Sequence, residues 1–188
     1  MPFYRTAIEG LLIFEPKVFG DERGYFFESF NEKLFAEQGI TRPFVQDNQA
    51  YSVKGVLRGL HYQTGEHAQA KLVRVLQGEV LDVAVDLRPG SKTFGQVYSH
   101  LLSDENKLQM YIPRGFAHGY VVLSETAVFF YKCDNFYAPQ AEAGIRPDCP
   151  KLNIDWGMPL DKATIAVRDR NFPSFGKHKD PFPTVKST

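Results

Sequence analysis

The chain has 188 residues, of which 43% are hydrophobic and 23% charged, and its 22 Lys and Arg balance its 22 Asp and Glu. This composition is typical of a globular protein and argues against disorder, and the length suits one domain over residues 1–188, with an N-terminal arm and a C-terminal wrap. A net charge of zero gives no overall field that would attract nucleic acid or an anionic membrane. An anionic ligand must therefore be held by a local cluster of Arg and Lys.

Cys133 and Cys149 are the only cysteines. The first ten residues include Arg5 and Glu9 and lack the apolar stretch of a secretory signal. Without a secretory context, two cysteines are expected to be free thiols. No run approaches the roughly 18 apolar residues of a membrane span. We therefore expect a cytoplasmic protein.

The first part of the chain predicts two short strands and one helix. The strands are Leu11–Phe14 and the aromatic run Tyr25–Phe30, separated by turn residues. A helix is predicted over Glu32–Gln38, because Asn31 can cap its start and Gly39 can end it.

The rest of the chain predicts a series of short strands with turn signals between them. Val80–Leu87 alternates with period two, which indicates a half-buried strand. The spacing predicts an all-β sandwich or barrel with a few short peripheral helices, rather than βαβ units. The tail from Pro173 is expected to wrap over the surface. The predicted strands are Phe44–Tyr51, Val56–Tyr62, Lys71–Leu76, Val80–Leu87, Phe94–Leu102, Leu108–Ile112, Tyr120–Leu123 and Ala127–Cys133.

The strand Val56–Tyr62 carries polar side chains in an apolar setting. On a regular strand, His61 and Gln63 share one face, and Leu60 and Tyr62 share the other. His61 is then either an ordinary buried or rim histidine or a functional one. A free imidazole titrates near neutral pH, so His61 is a candidate general base, with Asp169 a candidate carboxylate to orient it. The spacing of the two residues does not prove that pairing.

The segments Gly55–Gln63 and Pro113–His118 resemble the two halves of the cupin motif of jelly-roll barrels. Metal-binding cupins take His-x-His and a Glu from the first half and a His from the second. Here Gln63 stands at the second His position, and two imidazoles without a third ligand suit zinc or iron poorly. We therefore expect no catalytic metal and no cofactor.

Other candidates also have ordinary explanations when they are considered singly. Tyr131 fits a core tyrosine, Lys71 a solvated lysine at a strand edge, and Asp169 a capping residue. Arg23, Arg58 and Arg168 fit surface charge. Single residues therefore do not establish a function.

Taken together, the segments resemble the dTDP-4-dehydrorhamnose 3,5-epimerase family, a metal-free branch of the cupins with a jelly-roll β-barrel. The resemblance extends from residue 20 to 169 in the family's order. The matching pieces are Gly20–Ser29, Phe44–Gln49, Gly55–Gln63, Ala70–Val75, Pro113–Gly119, Tyr131–Cys133, Tyr137 and Arg168–Asp169.

The resemblance implies proton transfer next to the C4 ketone of a dTDP-linked 4-keto-6-deoxyglucose, as in dTDP-L-rhamnose biosynthesis. His61 is then the base, Asp169 its orienting partner, Tyr131 the acid on the opposite face, and Lys71 the stabiliser of the enolate. No cofactor is implied.

The resemblance also implies a substrate-binding set and a homodimer. Arg168 stands where the family commonly has Lys, which keeps the charge but changes the geometry. Arg23 and Glu28 match nucleotide contacts that come from the partner subunit, and Tyr137 matches a ring that stacks on thymine. The remaining binding positions are Gln46, Asn48, Arg58, Lys71, His118, Glu142 and Arg168.

Four alternatives remain open from the sequence. A monoepimerase would invert only C3 or only C5, and a cupin ketoisomerase would move the carbonyl between C3 and C4. A non-catalytic sugar-binding barrel would not need Tyr131 opposite His61. A metal-dependent cupin oxygenase would require a bound metal.

Overall fold

The computed structural model describes residues 2–182, and the chain in this range is built mainly from strands. The all-β prediction is confirmed. The strands are β1 (Phe3–Arg5), β2 (Leu12–Phe14), β3 (Phe19–Asp21), β4 (Gly24–Phe26), β5 (Gln46–Val53), β6 (Val56–Gln63), β7 (Lys71–Gln77), β8 (Glu79–Asp86), β9 (Val97–Ser103), β10 (Gln109–Ile112), β11 (Phe116–Val122), β12 (Thr126–Cys133), β13 (Glu142–Gly144) and β14 (Thr164–Ile165).

Two six-stranded sheets form the double-sheet barrel of a jelly roll. The first sheet, A, has the order β1-β2-β10-β7-β12-β5, and the second, B, has the order β13-β6-β11-β8-β9 with β14 added beside β6. Strands β3 and β4 form a separate hairpin. The first strand, β1, pairs with β2, so the residues expected to form an N-terminal arm belong to sheet A.

Helices are short and lie outside the sheets. Helix α1 (Glu32–Ala36) is capped as predicted, with Asn31 Oδ1 accepting from the backbone N–H groups of Lys33 and Leu34 at 3.1 and 3.4 Å. It ends two residues before the predicted limit, ahead of Gly39. Helix α2 covers Val167–Arg170. No helix between residues 2 and 182 has the length and apolar character needed to span a bilayer.

The hydrophobic core has three parts. One lies between the two sheets and contains Val73, Met110 and Phe129. A second covers the outer face of sheet B, where Trp156 and its neighbours pack on β6, β8 and β11. A third joins Phe35 of α1 to the outer face of sheet A. Sheet B is therefore buried on both faces over much of its area, whereas the outer face of sheet A stays exposed along β5, at Tyr51 and Val53. Burial of both faces strengthens the hydrophobic contribution to folding.

Several predicted strands differ from the observed ones. Strand β8 is buried on both faces rather than half-buried, because the segment around Trp156 covers the face turned away from the barrel. The predicted strand Tyr25–Phe30 ends at Phe26, and Phe30 instead packs its ring on Phe35. Strand β11 begins at Phe116, four residues earlier than predicted. The predicted strand from Phe94 begins at Val97 in the structure, after a turn.

Strand β6 contains an irregularity that sets the direction of its side chains. Opposite β11, His61 pairs with His118 and Arg58 pairs with Tyr120, so three steps on β6 match two on β11. An extra residue on one strand reverses the side-chain alternation beyond it. Leu57 and Leu60 consequently both belong to the hydrophobic cluster of Trp156 on the outer face of sheet B, although they are three residues apart.

The irregularity depends on close contact between two glycines. A Cβ added to Gly59 would lie 2.5 Å from the Gly119 Cα and 2.9 Å from the His118 carbonyl oxygen. Gly59 also has a φ of +130°, which side chains rarely adopt. Only glycine at this position lets the two strands meet in this way.

The C-terminal residues as far as Phe182 pack on the barrel. Tyr62 Oη donates to the Lys179 carbonyl, and Gly65 N–H donates to the Pro181 carbonyl at 2.8 Å. Phe175 packs beside Phe94, with ring centroids 5.2 Å apart. The predicted wrap from Pro173 thus follows the surface through residue 182, and its last six residues lie outside the described range.

We predict that Gly59→Ala lowers the free energy of unfolding much more than Gly90→Ala. Gly90 is the control, with a φ of +77° and nothing within 4 Å of an added Cβ. Backbone strain at either position costs about 1–3 kcal/mol, and the contact with Gly119 adds about 1–3 kcal/mol at Gly59 only. Denaturant unfolding measures both values, and equal losses would contradict the close-contact explanation.

Candidate functional site

A cleft with two connected lobes opens between the sheets. The large lobe has a volume of about 620 Å³ and the small lobe about 290 Å³. Five residues line both lobes, so the two form one continuous site. These shared residues are His61, Lys71, Tyr131, Tyr137 and Glu142.

His61 and Asp169 form a hydrogen-bonded pair on the sheet B side of the large lobe. His61 Nε2 lies 2.9 Å from Asp169 Oδ1, and Asp169 Oδ2 accepts from Gly59 N–H at 3.1 Å. Asp169 comes from helix α2 and is 2% exposed, whereas the His61 side chain is 24% exposed. With Nε2–H donated to the carboxylate, Nδ1 carries the lone pair of the neutral ring. The pair has the form of an oriented general base.

The charge of Asp169 is favoured despite its burial. Burial alone would raise the pKa of the carboxyl group, but the hydrogen bonds from His61 and Gly59 and the charge of Arg168 outweigh it and hold the pKa below its usual value. The carboxylate is therefore ionised at neutral pH and available to stabilise a protonated His61.

Lys71 and Tyr131 lie on the facing sheet, A. They come from the adjacent strands β7 and β12, and Lys71 Nζ is 5.7 Å from the centre of the Tyr131 ring. Burial lowers the pKa of Lys71, although neighbouring acidic groups oppose the shift. Burial also raises the pKa of Tyr131 to about 12. The candidate base on sheet B thus shares the cleft with a phenol that holds its proton and a partly buried lysine.

His118 forms a second pair with a carboxylate deeper in the barrel. Its Nε2 is 3.0 Å from both Oδ1 and Oδ2 of Asp82, and both residues are buried. Burial lowers the pKa of His118 against the opposing effect of Asp82, and the nearby Lys71 and His61 lower it further. His118 lies beside His61 across the β6–β11 pairing and lines the large lobe.

Arg58 lines the same lobe because of the irregularity in β6. Strict alternation along the whole strand would place Arg58 and His61 on opposite faces. Instead both line the large lobe, and Arg58 Nε donates to Ser52 Oγ at 3.1 Å. Tyr120 stacks on Phe129 beside them, with ring centroids 4.0 Å apart. One wall of the cleft thus carries a guanidinium group next to the candidate base.

Polar residues at the rim are joined by hydrogen bonds. Glu142 Oε2 accepts from Tyr137 Oη at 3.1 Å and from Arg168 Nη1 at 2.9 Å. Arg168 Nε also contacts Asp169 Oδ1 at 3.3 Å, which connects the rim to the His61 pair. Two more predicted binding residues, Gln46 and Asn48, line the small lobe.

Two of the predicted binding residues lie away from the cleft of their own chain. Arg23 is in the β3–β4 hairpin, where its side chain is 84% exposed and pairs with Asp21. Glu28 accepts from Asn31 Nδ2 at 3.2 Å, next to α1. Neither lines either lobe.

Sequence reasoning did not single out two polar residues at the site, Asp82 and Ser52, and it did not predict the structural use of Gln63. Asp82 had a readable signal, because alternation places a carboxylate between Val80 and Ala84 on the barrel side of β8. Ser52 had no such signal, since its contact depends on the β6 irregularity.

The side chain of Gln63, which stands at a ligand position of metal cupins, is committed to hydrogen bonds with backbone groups. Its Nε2 donates to the carbonyls of His67 and Phe136, and its Oε1 accepts from Ala138 N–H. Among residues 2–182 there is no group of three or more His, Cys, Asp or Glu arranged to hold a metal ion. Cys133 and Cys149 are buried free thiols.

The fold and the cleft define a class of protein: a cupin-type jelly roll with a hydrogen-bonded His–Asp pair beside one sheet and a Lys and a Tyr on the other. The chain matches the family model described as dTDP-4-dehydrorhamnose 3,5-epimerase over residues 5–177. It therefore belongs to that family, as the sequence resemblance predicted.

Similar proteins share nearly the whole chain. A dTDP-4-dehydrorhamnose 3,5-epimerase of Pseudomonas aeruginosa is 55% identical over 172 residues, covering 91% of this chain and 94% of the relative. The structure of a Legionella pneumophila epimerase in complex with dTDP-4-keto-L-rhamnose is 50% identical, with a TM-score of 0.89 and 93% of each chain covered. A 3'-monoepimerase from Streptomyces bikiniensis, in complex with dTDP-quinovose, is 34% identical, with a TM-score of 0.84, covering 91% of this chain and 86% of that one.

We predict that Tyr131 stays protonated across the usual assay range. Its pKa of about 12 lies above the ordinary value of about 10, so the neutral phenol persists below pH 11 or so. Ultraviolet difference titration of the wild type against Tyr131→Phe follows this one tyrosinate. A tyrosinate signal that is lost in the variant and appears near pH 10 would contradict the assignment.

Proposed function

We propose that the protein inverts C3 and C5 of dTDP-4-dehydro-6-deoxy-D-glucose to give dTDP-4-dehydro-L-rhamnose. The observation that carries the proposal is the His61–Asp169 pair facing Tyr131 across the cleft, with Lys71 beside the phenol. Family membership supports the same activity. Identity of 55% to a relative named for this reaction, over nearly the full length of both proteins, supports it further.

The proposed reaction uses the C4 ketone as an electron sink. His61 takes the hydrogen on C3 or C5 as a proton, and the C–H electron pair moves into an enolate. Lys71 stabilises the developing charge on the enolate oxygen. Tyr131 returns a proton to the carbon from the opposite face, which inverts the centre. The imidazolium and the tyrosinate then recover their starting states by proton exchange with solvent.

Asp169 and His118 support this chemistry in different ways. Asp169 keeps the His61 ring in the tautomer that leaves Nδ1 free, and it stabilises the imidazolium formed in the step. His118 is held by Asp82 at the base of the lobe and is proposed to contact the sugar. Burial lowers the pKa of His118, so it meets the substrate as a neutral imidazole.

The nucleotide is proposed to lie at the rim. Arg58 and Arg168 supply positive charge for the diphosphate, and a planar guanidinium suits paired phosphate oxygens. Tyr137 is 52% exposed and free to stack on thymine. Gln46, Asn48 and Glu142 supply polar contacts around them.

We further propose a homodimer in which Arg23 and Glu28 reach the partner's cleft. Both residues lie away from their own cleft, and the hairpin that carries Arg23 exposes Phe19, Tyr25 and Phe26. Exposed aromatic groups of this kind favour a protein contact. Residues 1–188 are proposed to act as one catalytic unit located in the cytoplasm, for which two unbridged thiols are a supporting observation.

A monoepimerase is the second candidate, because the Streptomyces bikiniensis protein of similar fold is named for inversion at one centre. The same base serves either reaction, since C3 and C5 share one ketone. Room for the sugar to turn between the two steps decides how many centres are inverted.

We predict that His61→Ala abolishes both solvent exchange and epimerisation. Asp169→Asn should lower kcat by roughly 10²–10⁴-fold, because the imidazole loses its orienting partner. Deuterium incorporation from D₂O, followed by NMR, measures exchange independently of inversion. Near-normal exchange in the folded His61→Ala variant would contradict the base assignment.

The product itself tests the proposed function. We predict that a coupled keto-reductase with a nicotinamide cofactor yields the L-rhamno configuration, identified by NMR. A product inverted at C3 alone after complete exchange would identify a monoepimerase.

We also predict that turnover survives exhaustive chelation, because the amide of Gln63 is hydrogen-bonded to backbone groups at the position where metal cupins place a ligand. Activity lost on chelation and regained with a metal would contradict the metal-free mechanism.

A further inference from the structure

The segment that follows β12, residues 134–138, carries Tyr137 to the rim without forming a helix or strand of its own. A loop of this kind has to be ordered by side chains from its neighbours, since it has no ladder of backbone hydrogen bonds. Three glutamines on surrounding elements provide such contacts: Gln46, Gln63 and Gln69.

Gln63 holds the segment on both sides of Tyr137. Its Nε2 donates to the Phe136 carbonyl at 3.1 Å, and its Oε1 accepts from Ala138 N–H at 2.7 Å. The same Nε2 donates to the His67 carbonyl at 2.7 Å. Because the amide nitrogen faces two carbonyls and the oxygen faces an N–H, the reversed orientation of the amide would lose all three bonds.

The amide of Gln63 supports the backbone of the 134–138 segment and is not available to contact a ligand. The residue is 5% exposed, and both amide hydrogens are already donated to the protein. The other two glutamines each give the segment one bond, with Gln46 Oε1 accepting from Tyr137 N–H at 2.9 Å and Gln69 Nε2 donating to the Asn135 carbonyl at 2.7 Å. Gln63 alone joins the backbone before Tyr137 to the backbone after it.

We propose that Gln63 is a positioning residue for nucleotide recognition, which fixes the 134–138 segment so that Tyr137 meets the base in its binding geometry. The inference rests on the proposed function, because it takes the ring of Tyr137 to be the base contact. A segment ordered in advance binds more tightly, since the free energy of ordering it is not drawn from the ligand. Removal of the support multiplies the apparent affinity by the fraction of molecules in which the segment remains in place, so the apparent Kd rises as that fraction falls.

The variant Gln63→Met tests the proposal, because it keeps the length of the side chain and loses all three hydrogen bonds. Calorimetric titration with thymidine diphosphate should show about tenfold weaker binding, as expected if about one molecule in ten retains the ordered segment. KM for the sugar nucleotide should rise by a similar factor, while kcat changes little. Unchanged binding in the folded variant would overturn the proposal.

A double-mutant cycle with Tyr137→Ala separates positioning from general destabilisation. If Gln63 acts through Tyr137, Gln63→Met should weaken binding little further once the ring is gone. Equal weakening by Gln63→Met with and without the ring would overturn the proposal and leave the proposed function intact. Unchanged binding in Tyr137→Ala would overturn the base contact, and this inference with it.

Ser124→Ala is the matched control for loss of a side-chain support. Ser124 Oγ accepts from Glu79 N–H at 2.8 Å and donates to the Thr126 carbonyl at 2.7 Å, in a turn at the other end of β12. This variant should lower thermal stability without changing thymidine diphosphate affinity. Loss of affinity in Ser124→Ala equal to that in Gln63→Met would overturn the specific role of Gln63.

Hydrogen exchange on the wild type tests the same proposal if Gln63→Met does not fold. The Ala138 amide is bonded to a buried oxygen, so it should exchange slowly before any ligand is added. Rapid exchange without thymidine diphosphate, followed by slow exchange with it, would show a segment ordered by the ligand and would overturn the proposal.

Discussion

The close contact between β6 and β11 at Gly59 and Gly119 is the constraint on which the site depends. It inserts an extra residue into β6, so Arg58 and His61 line the same lobe while Leu57 and Leu60 pack in the same outer core. The same Gly59 supplies an N–H group to Asp169 Oδ2, while His61 meets the other oxygen. One backbone feature thus sets the direction of the His61 side chain and orients the carboxylate of Asp169. A side chain at this position would disturb both.

Two His–Asp pairs lie side by side in the cleft, and burial gives them different properties. The pair of His61 and Asp169 reaches the solvent-accessible lobe, and its carboxylate is supported by a backbone N–H and by Arg168. The pair of His118 and Asp82 is enclosed, and desolvation lowers the pKa of its imidazole. The ring of His61 is therefore open to a ligand in the cleft, whereas burial disfavours a positive charge on the ring of His118. The difference follows from exposure, since both rings have a carboxylate partner.

Much of the architecture was predictable from pattern. Alternation and turn residues indicate an all-β fold, Asn31 indicates the start of α1, and the ordered motifs indicate the family. The predictions failed where a distant segment changes a local environment: β8 alternates like a half-buried strand, yet Trp156's cluster covers its other face. The run Tyr25–Phe30 consists largely of strand-forming residues, but the strand ends early, and the ring of Phe30 packs on Phe35 of α1.

The sequence by itself determined the chemical groups of the site: an imidazole, a phenol, an amine and the carboxylate of Asp169, in an order that indicates the family. Only the tertiary structure decided which of them meet. His61 and Asp169 are 108 positions apart in the chain. Several strands lie between β6, which carries His61, and α2, which carries Asp169, so their separation in the sequence does not predict that they are in contact. The structure also decided that Gln63 supports a loop, because a side chain's hydrogen bonds depend on which backbone groups the fold leaves beside it.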